Sequence, residues 1–218
     1  MMPSKLFPAE MRQVLLAMAD AIIGSETVLN TLDAAVGDGD HGIIMRLGFD
    51  AIRNRLAMLD ASAGFHELFT ESGKAFIGAT GGAMGIIFGK SLLSVGTSLC
   101  DAREFATPEL KTMLAAMETA IGKTGKAKPG DKTILDGVHA AREAAELSNK
   151  ANEALDEALK SAAAAAEAAA ENTAGMVCQA GRASRLGERT LGHLDPGAVS
   201  FAIIMRSFQE SVAKSPPA

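Results

Sequence analysis

The chain has 218 residues, of which 48% are hydrophobic and 22% are charged. This size and balance predict a single globular domain, residues 1–218, with one substantial core. A net charge of −5 at pH 7 argues against nucleic acid as a partner, and no apolar run is long enough to predict a membrane partner.

Two features bear on the cellular compartment. The first ten residues carry no basic segment followed by an apolar one, so they do not predict a secretory signal. Cys100 and Cys178 are isolated in the sequence and lack the spacing of a metal site. We expect both thiols to be reduced and buried, and the protein to be cytoplasmic.

Apolar residues recur at helical spacing along most of the chain, and no segment alternates like a strand for more than a few residues. The predicted helices, in chain order, are 11–23, 43–59, 65–77, 84–99, 108–121, 131–147, 149–178 and 198–213. Asp131 is predicted to cap its helix, and the Ala-rich run that follows residue 149 is predicted as one long helix. The predicted fold class is all-α with roughly eight or nine helices, followed by a frayed tail at residues 215–218.

The most informative segment is the run of residues 32–42, in which three carboxylates and an imidazole lie within nine residues. Asp33, Asp38 and Asp40 repel one another unless a cation neutralises them, and carboxylate oxygens suit Mg²⁺. The intervening glycines permit backbone conformations that let these side chains converge. The segment predicts a magnesium site for a phosphate-bearing ligand, although a solvated acidic turn that caps a helix has a similar composition.

Two further connections combine glycine with polar residues. Residues 78–85 precede an apolar helix, whose free N–H groups and dipole attract an anion; a tight turn between packed helices is the alternative. Residues 124–133 end in Thr133, whose hydroxyl can bond a phosphate or a free backbone group. The lysines of this connection, Lys126, Lys128 and Lys132, either assist an anion or remain solvated.

A third such connection covers residues 181–197. Arg182 offers a planar set of donors that suits a phosphate. Asp195 either binds a nucleoside or caps the last helix. Between them, Arg185, Glu188 and Arg189 are expected to form a local ion-pair cluster that stiffens the loop.

With these four segments in order, the chain resembles the nucleotide-binding L subunit of dihydroxyacetone kinases, the DhaL family, over nearly its whole length. The resemblance rests on the acidic run, on Gly-Gly-Ala at 81–83, on Lys-Pro-Gly-Asp-Lys-Thr at 128–133 and on the connection that begins with Gly-Arg-Ala-Ser at 181–184. It implies an antiparallel barrel of about eight amphipathic helices, with the nucleotide site at one end between the inter-helix loops. Asp33, Asp38 and Asp40 would hold Mg²⁺ on the phosphates of ADP or ATP. The other residues expected at the nucleotide are His41, Ile44, Gly81, Gly82, Ala83, Met84, Gly125, Thr133, Ile134, Arg182, Asp195 and Pro196.

The resemblance also implies partners. The ketose substrate would be bound covalently on a separate K subunit, so this chain would supply half of an active site. In one branch of the family ADP stays bound and is rephosphorylated by a phosphocarrier of the sugar phosphotransferase system; in the other, ATP binds and ADP leaves. Assembly of this chain into a homo-oligomer is a further alternative. His41 either orients a phosphate or a metal-bound water, as a possible catalytic group, or belongs to the core.

Two positions depart from the family pattern. Ile44 stands where many relatives carry Asn, and residues 84–86 read Met-Gly-Ile where many have Ser-Gly-Pro. These changes leave the aspartates intact but bear on the substrate, for which erythrulose is an alternative to dihydroxyacetone. Two other function classes fit the residues: a stand-alone Mg²⁺-dependent phosphohydrolase and a nucleotide-binding module without catalytic activity.

Overall fold

The computed structural model describes residues 5–214, so the expected tail at 215–218 lies outside the described residues. The helices within this range are α1 Pro8–Gly24, α2 Glu26–Ala34, α3 His41–Met58, α4 Phe65–Thr80, α5 Gly82–Ser98, α6 Thr107–Gly125, α7 Ile134–Lys150, α8 Leu155–Asn172 and α9 Pro196–Lys214. Within residues 5–214, β-structure is limited to one isolated bridge between Leu6 and Phe105. The predicted all-α class is therefore confirmed.

Eight of these helices form a closed ring in which each one packs against the next, in the order α1, α3, α4, α5, α6, α7, α8, α9 and back to α1. The helix α2 lies beside this ring, against α3 and α9. Neighbours run in opposite directions: Arg12, near the start of α1, donates to the carbonyls of Leu56 and Leu59 at the end of α3. The ring agrees with the predicted barrel of about eight helices.

The interior of the ring holds a cluster of phenylalanine rings. Phe76 is fully buried, and its ring centroid lies 5.8 Å from that of Phe49 and 4.9 Å from that of Phe88. A Cβ on Gly48 would lie 2.2 Å from the Phe76 ring, so this position of α3 accepts only glycine against α4. The cluster fixes how α3, α4 and α5 pack around the core.

The structure corrects the predicted helix boundaries at two places. Residues 26–34, which were not predicted as a helix, form α2. The long helix predicted for residues 149–178 is interrupted, because the chain turns at residues 151–154 with Asn152 in the left-handed region at φ 55°. The helix α8 therefore covers only the central part of that range and is followed by the 3-10 turn Thr173–Gly175.

The predicted cap of α7 is also wrong. Thr133, not Asp131, is the N-cap residue, and its hydroxyl accepts the N–H of Leu135 at 3.1 Å. Asp131 instead lies within the preceding turn, where its carboxylate accepts the N–H of Lys128 at 2.9 Å. A capping residue was expected in this segment, and the structure places it two residues later.

Both cysteines are free thiols, but only Cys178 is buried; the expectation that Cys100 is also buried is wrong, because it lies exposed in the turn after α5. Within residues 5–214, no single helix has the length and apolar character of a membrane span. The helices α1 and α2 meet those criteria only as a pair, bent by 53°.

Removal of the Phe76 ring tests the assignment of the core. Phe76→Ala should lower the free energy of unfolding by about 3–5 kcal/mol, because it leaves a cavity beside Phe49 and Phe88. Phe7→Ala is the matched control, since Phe7 is 43% exposed; it should cost less than about 1 kcal/mol. Chemical denaturation followed by circular dichroism measures both values. Equal losses would contradict the assignment.

Candidate functional site

A cleft of about 270 Å³ lies where four connections of the ring meet, those between α2 and α3, α4 and α5, α6 and α7, and α8 and α9. In an antiparallel ring these alternate connections lie at the same end. The structure brings together every residue that the sequence predicted at the metal or the nucleotide. The cleft is lined by Asp33, Asp38, Asp40, His41, Ile44, Gly81, Gly82, Ala83, Met84, Gly125, Thr133, Ile134, Arg182, Asp195 and Pro196.

The acidic residues converge at the start of α3. Asp33, Asp38 and Asp40 each offer a carboxylate oxygen, and these oxygens all lie within 4.8 Å of one another. Glycine permits this approach, since a Cβ on Gly37 would lie 2.5 Å from Asp33 Oδ1 and Gly39 has a φ of 78°. Divalent cations bind carboxylate oxygens at about 2.0–2.6 Å, so the spacing of this donor set fits such an ion.

Asp33 also acts as a helix cap. Its Oδ2 accepts the backbone N–H groups of Asp40 at 3.0 Å and of His41 at 3.3 Å, at the first turn of α3. The two interpretations of the acidic turn, as a cap and as a cation site, are therefore compatible. On the exposed side of the cluster, Arg182 Nη1 donates to Asp38 Oδ2, and the guanidinium offsets part of the negative charge.

His41 is buried and neutral at pH 7. Burial lowers its pKa to about 4, although the negative charge of Asp33 acts in the opposite direction. Its Nε2 lies 3.2 Å from Ser200 Oγ, and that hydroxyl donates its own proton to the carbonyl of Gly197. We infer that Nε2 carries the proton of the imidazole and that Nδ1 is an acceptor.

The connection from α4 to α5 presents a helix N-terminus to the cleft. Gly81 and Gly82 have φ values of 60° and 66°, and a Cβ at either position would meet nothing, so glycine is needed for the backbone conformation alone. Among the described residues, no side chain caps α5. The first N–H groups of this helix, at Gly82, Ala83 and Met84, are therefore suited to an anion.

The connection from α6 to α7 is held by a capping box. Asp136 accepts the backbone N–H groups of Gly130 at 2.5 Å and of Thr133 at 2.7 Å. The Thr133 hydroxyl uses an oxygen lone pair for its own cap bond, so its proton remains available to a ligand in the cleft. Asp136 was missed in the sequence, although Thr followed three positions later by Asp or Glu is a sequence signal for such a box.

Both predicted roles of Lys132 are wrong, since its ammonium is neither solvated nor free to bind an anion. The side chain is 1% exposed, and its ammonium donates to the carbonyls of Met176, Thr190 and His193. Burial lowers the pKa of Lys132, while the negative charge of Asp195 acts in the opposite direction. The other two lysines of this connection, Lys126 and Lys128, are exposed.

The connection from α8 to α9 contains a 3-10 segment, Ala183–Thr190, that was not predicted. The expected ion-pair cluster of Arg185, Glu188 and Arg189 is wrong, because none of the ion pairs within residues 5–214 involves these three side chains. They lie on a segment that is kinked at Gly187, where φ is 56°.

Asp195 lies at the end of this connection and caps α9. Its Oδ2 accepts the N–H of Ala198 at 2.7 Å, as one of the two sequence interpretations expected. Burial raises the pKa of Asp195 to about 7; the bond from Ala198 and the charge of Lys132 act in the opposite direction, and Asp136 raises the pKa further. This carboxyl therefore exists in both protonation states near neutral pH.

The remaining wall of the cleft is apolar. It includes aliphatic and sulfur-containing side chains that the sequence did not single out, namely Val36, Ile87, Ile121, Ala127, Cys178 and Ala180. Within the described part of the chain, no phenylalanine ring lines this cleft, and the imidazole of His41 is its one aromatic ring.

Curated relatives match nearly the whole chain. One is the ADP-binding subunit DhaL of PEP-dependent dihydroxyacetone kinase 2 from Listeria innocua serovar 6a, 33% identical over 203 residues, which cover 93% of this chain and 94% of the relative. Another is D-erythrulose kinase from Mycolicibacterium smegmatis, 35% identical over 91% of this chain. The aligned region is only 34% of that longer kinase.

A solved structure has the same fold. The dihydroxyacetone kinase from C. freundii, crystallised with AMP-PNP and Mg²⁺, superposes on 92% of this chain with a TM-score of 0.69 and 28% sequence identity. The aligned region is 33% of that kinase chain. The family model described as the DAK2 domain matches residues 35–210. These matches confirm the family that the four sequence motifs indicated: the chain belongs to the DAK2 domain family, together with the L subunits of dihydroxyacetone kinases.

Proposed function

We propose that this protein is the nucleotide-binding subunit of a ketose kinase of the dihydroxyacetone type. It would bind ADP or ATP with Mg²⁺ and transfer a phosphoryl group to a small ketose held covalently by a K-type subunit. One observation carries the proposal: three converging carboxylates, an uncapped helix N-terminus and Arg182 line a single cleft. The names of the relatives support it, since they include an ADP-binding subunit and an erythrulose kinase.

The acidic cluster is the proposed metal site. Asp33, Asp38 and Asp40 would hold Mg²⁺, as their oxygen donors and spacing fit such an ion. When bound, the metal supplies positive charge that offsets the charge of the phosphates. Asp33 keeps its own position through its bonds to the start of α3, so the site is organised before a ligand arrives.

The phosphates would be held by donors from three connections. The N–H groups at the start of α5 face the cleft, the Thr133 hydroxyl has a free proton, and Arg182 carries a guanidinium at its rim. Phosphoryl transfer needs charge neutralisation and in-line positioning more than covalent chemistry from the protein. Neutral His41 would position a neighbouring group through Nδ1 rather than contribute a positive charge.

The nucleoside would lie against the apolar wall. Ile134 and Pro196 belong to this wall, and Asp195, near neutral pH, can either donate or accept a hydrogen bond there. Ile44 and Met84 also line the cleft, where many relatives carry Asn and Ser. Because both side chains are apolar and lack the amide and hydroxyl groups of Asn and Ser, erythrulose remains a candidate phosphoryl acceptor in addition to dihydroxyacetone.

Two phosphoryl donors are compatible with the proposal, and an experiment can distinguish them. In one case ATP binds and ADP leaves; in the other, ADP stays bound and a phosphocarrier protein of the sugar phosphotransferase system rephosphorylates it. Cytoplasmic location, consistent with free thiols, is part of the proposal. A stand-alone phosphohydrolase and a module without catalytic activity are the rival functions.

Reconstitution tests the function directly. The wild-type chain, mixed with a K-type subunit, a ketose and either ATP or a phosphorylated phosphocarrier together with ADP, should form ketose phosphate in one arm and none without Mg²⁺. Asp40→Asn should lower this rate by at least about a hundredfold, because it removes one metal ligand, while Asp20→Asn on an exposed part of α1 should leave it unchanged. Phosphate release by the isolated chain would support the hydrolase instead, and nucleotide binding without ketose phosphate would support the module.

Arg182→Ala should weaken Mg²⁺-dependent binding of ADP by about tenfold or more, because a charge-assisted bond to phosphate contributes roughly 1.5–3 kcal/mol. Arg53→Ala is the matched control, since Arg53 is an exposed arginine of α3 that pairs with Asp20 and Asp50. Isothermal titration calorimetry measures both dissociation constants. Equal effects of the two variants would exclude the proposed contact of Arg182.

The raised pKa of Asp195 makes stability depend on pH. Folding raises this pKa from 3.8 to about 7, so the folded state binds the proton more tightly, and this contribution is lost as pH rises through that interval. In the nucleotide-free protein, the stability of wild type relative to Asp195→Asn should fall by on the order of 2–4 kcal/mol between pH 4 and pH 7. Denaturant titrations at each pH measure it, with exposed Asp101→Asn as the control. A difference that rises or stays flat with pH would refute the assignment.

A further inference from the structure

The segment of residues 176–193 carries Arg182 to the rim of the cleft, and its regular structure is limited to the kinked 3-10 segment Ala183–Thr190. Three of its residues, Gly181, Gly187 and Gly192, have positive φ values. Its backbone bonds to the rest of the fold include Gln179 N–H to the carbonyl of Asp131 at 3.0 Å and Gly192 N–H to the carbonyl of Ala174 at 2.8 Å. Such a segment depends on a few anchors for its position.

One ammonium group joins both ends of this segment. Lys132 Nζ donates to Met176 at the start, at 3.1 Å, and to Thr190 and His193 at the end, the latter at 2.7 Å. These bonds use all three protons of the ammonium. Lys132 itself belongs to a different connection, between α6 and α7, which also carries Thr133.

The location of Lys132 is energetically costly unless all of its bonds form. A buried cation needs full hydrogen bonding to offset its lost hydration. The residue also has a φ of 59°, in the left-handed region that most side chains avoid. Both features indicate that the ammonium is held in a defined place by the segment, and that the segment is held in turn by the ammonium.

We propose that Lys132 is a positioning residue, which anchors the segment 176–193 over the cleft so that Arg182 reaches the ligand. Its role is to bind carbonyl groups, unlike that of a lysine that contacts phosphate directly. The identity of the ligand rests on the function proposed above. The anchoring of the segment does not depend on it and can be measured without nucleotide.

Limited proteolysis tests the anchor in the nucleotide-free protein. Lys132→Met keeps an unbranched side chain but removes the ammonium, and it should raise the rate of tryptic cleavage after Arg182, Arg185 and Arg189 by about tenfold or more. Lys128→Met is the matched control, since Lys128 is an exposed lysine of the same connection; its cleavage rates should equal those of wild type. Mass spectrometry identifies each site, and unchanged cleavage in Lys132→Met would overturn the proposal.

Lys132→Gln provides a second variant should the Met variant not fold. It retains two N–H donors without the charge, so it should accelerate cleavage of the segment by a smaller factor, while circular dichroism shows the helices intact. The same criterion applies: cleavage at the wild-type rate overturns the proposal.

A double-mutant cycle tests whether Lys132 acts through Arg182. Each single variant, Lys132→Met and Arg182→Ala, should weaken Mg²⁺-dependent ADP binding. With Lys132 already replaced, Arg182→Ala should change the dissociation constant by less than about twofold, because the guanidinium is no longer held in place. Fully additive effects would contradict positioning. Failure of wild type to bind ADP with Mg²⁺ would instead refute the proposed function, and the cleavage results would still decide the anchor.

Discussion

The organisation of the cleft depends on electrostatic repulsion among three carboxylates. Asp33, Asp38 and Asp40 lie with oxygens within 4.8 Å of one another, an arrangement that is unfavourable unless positive charge or N–H groups surround it. The fold supplies both: two backbone N–H groups at the start of α3 bind Asp33, and Arg182 pairs with Asp38. The remaining negative charge is what a divalent cation would neutralise, and a cation held there would attract phosphates.

The ring of helices explains why such different segments meet. Because neighbouring helices are antiparallel, every second connection lies at the same end, and four glycine-containing connections surround one opening. The core, centred on Phe49, Phe76 and Phe88, holds these ends at fixed distances. The site is thus built on loops, but each loop is fixed by rigid helices on both sides and by local bonds such as those of Asp136.

Local sequence signals predicted much of this arrangement, whereas distant contacts escaped prediction. The acidic run and Thr133 are recognisable because their chemistry lies within a few neighbouring residues. The role of Lys132 depends on carbonyls 44, 58 and 61 positions further along the chain, which no local pattern encodes. The raised pKa of Asp195 likewise arises from burial by the folded chain. The break near Asn152 was missed because the alanine-rich composition around it favours a continuous helix.

A crystal structure of the protein with Mg²⁺ and ADP tests the central claim most directly. The account predicts electron density for metal between the carboxylates of Asp33, Asp38 and Asp40 and the two phosphates, with the adenosine against the apolar wall near Ile134. It also predicts that the start of α5 contacts a phosphate. Nucleotide bound outside this cleft, or carboxylates that face solvent with no ion between them and the phosphates, would contradict the account.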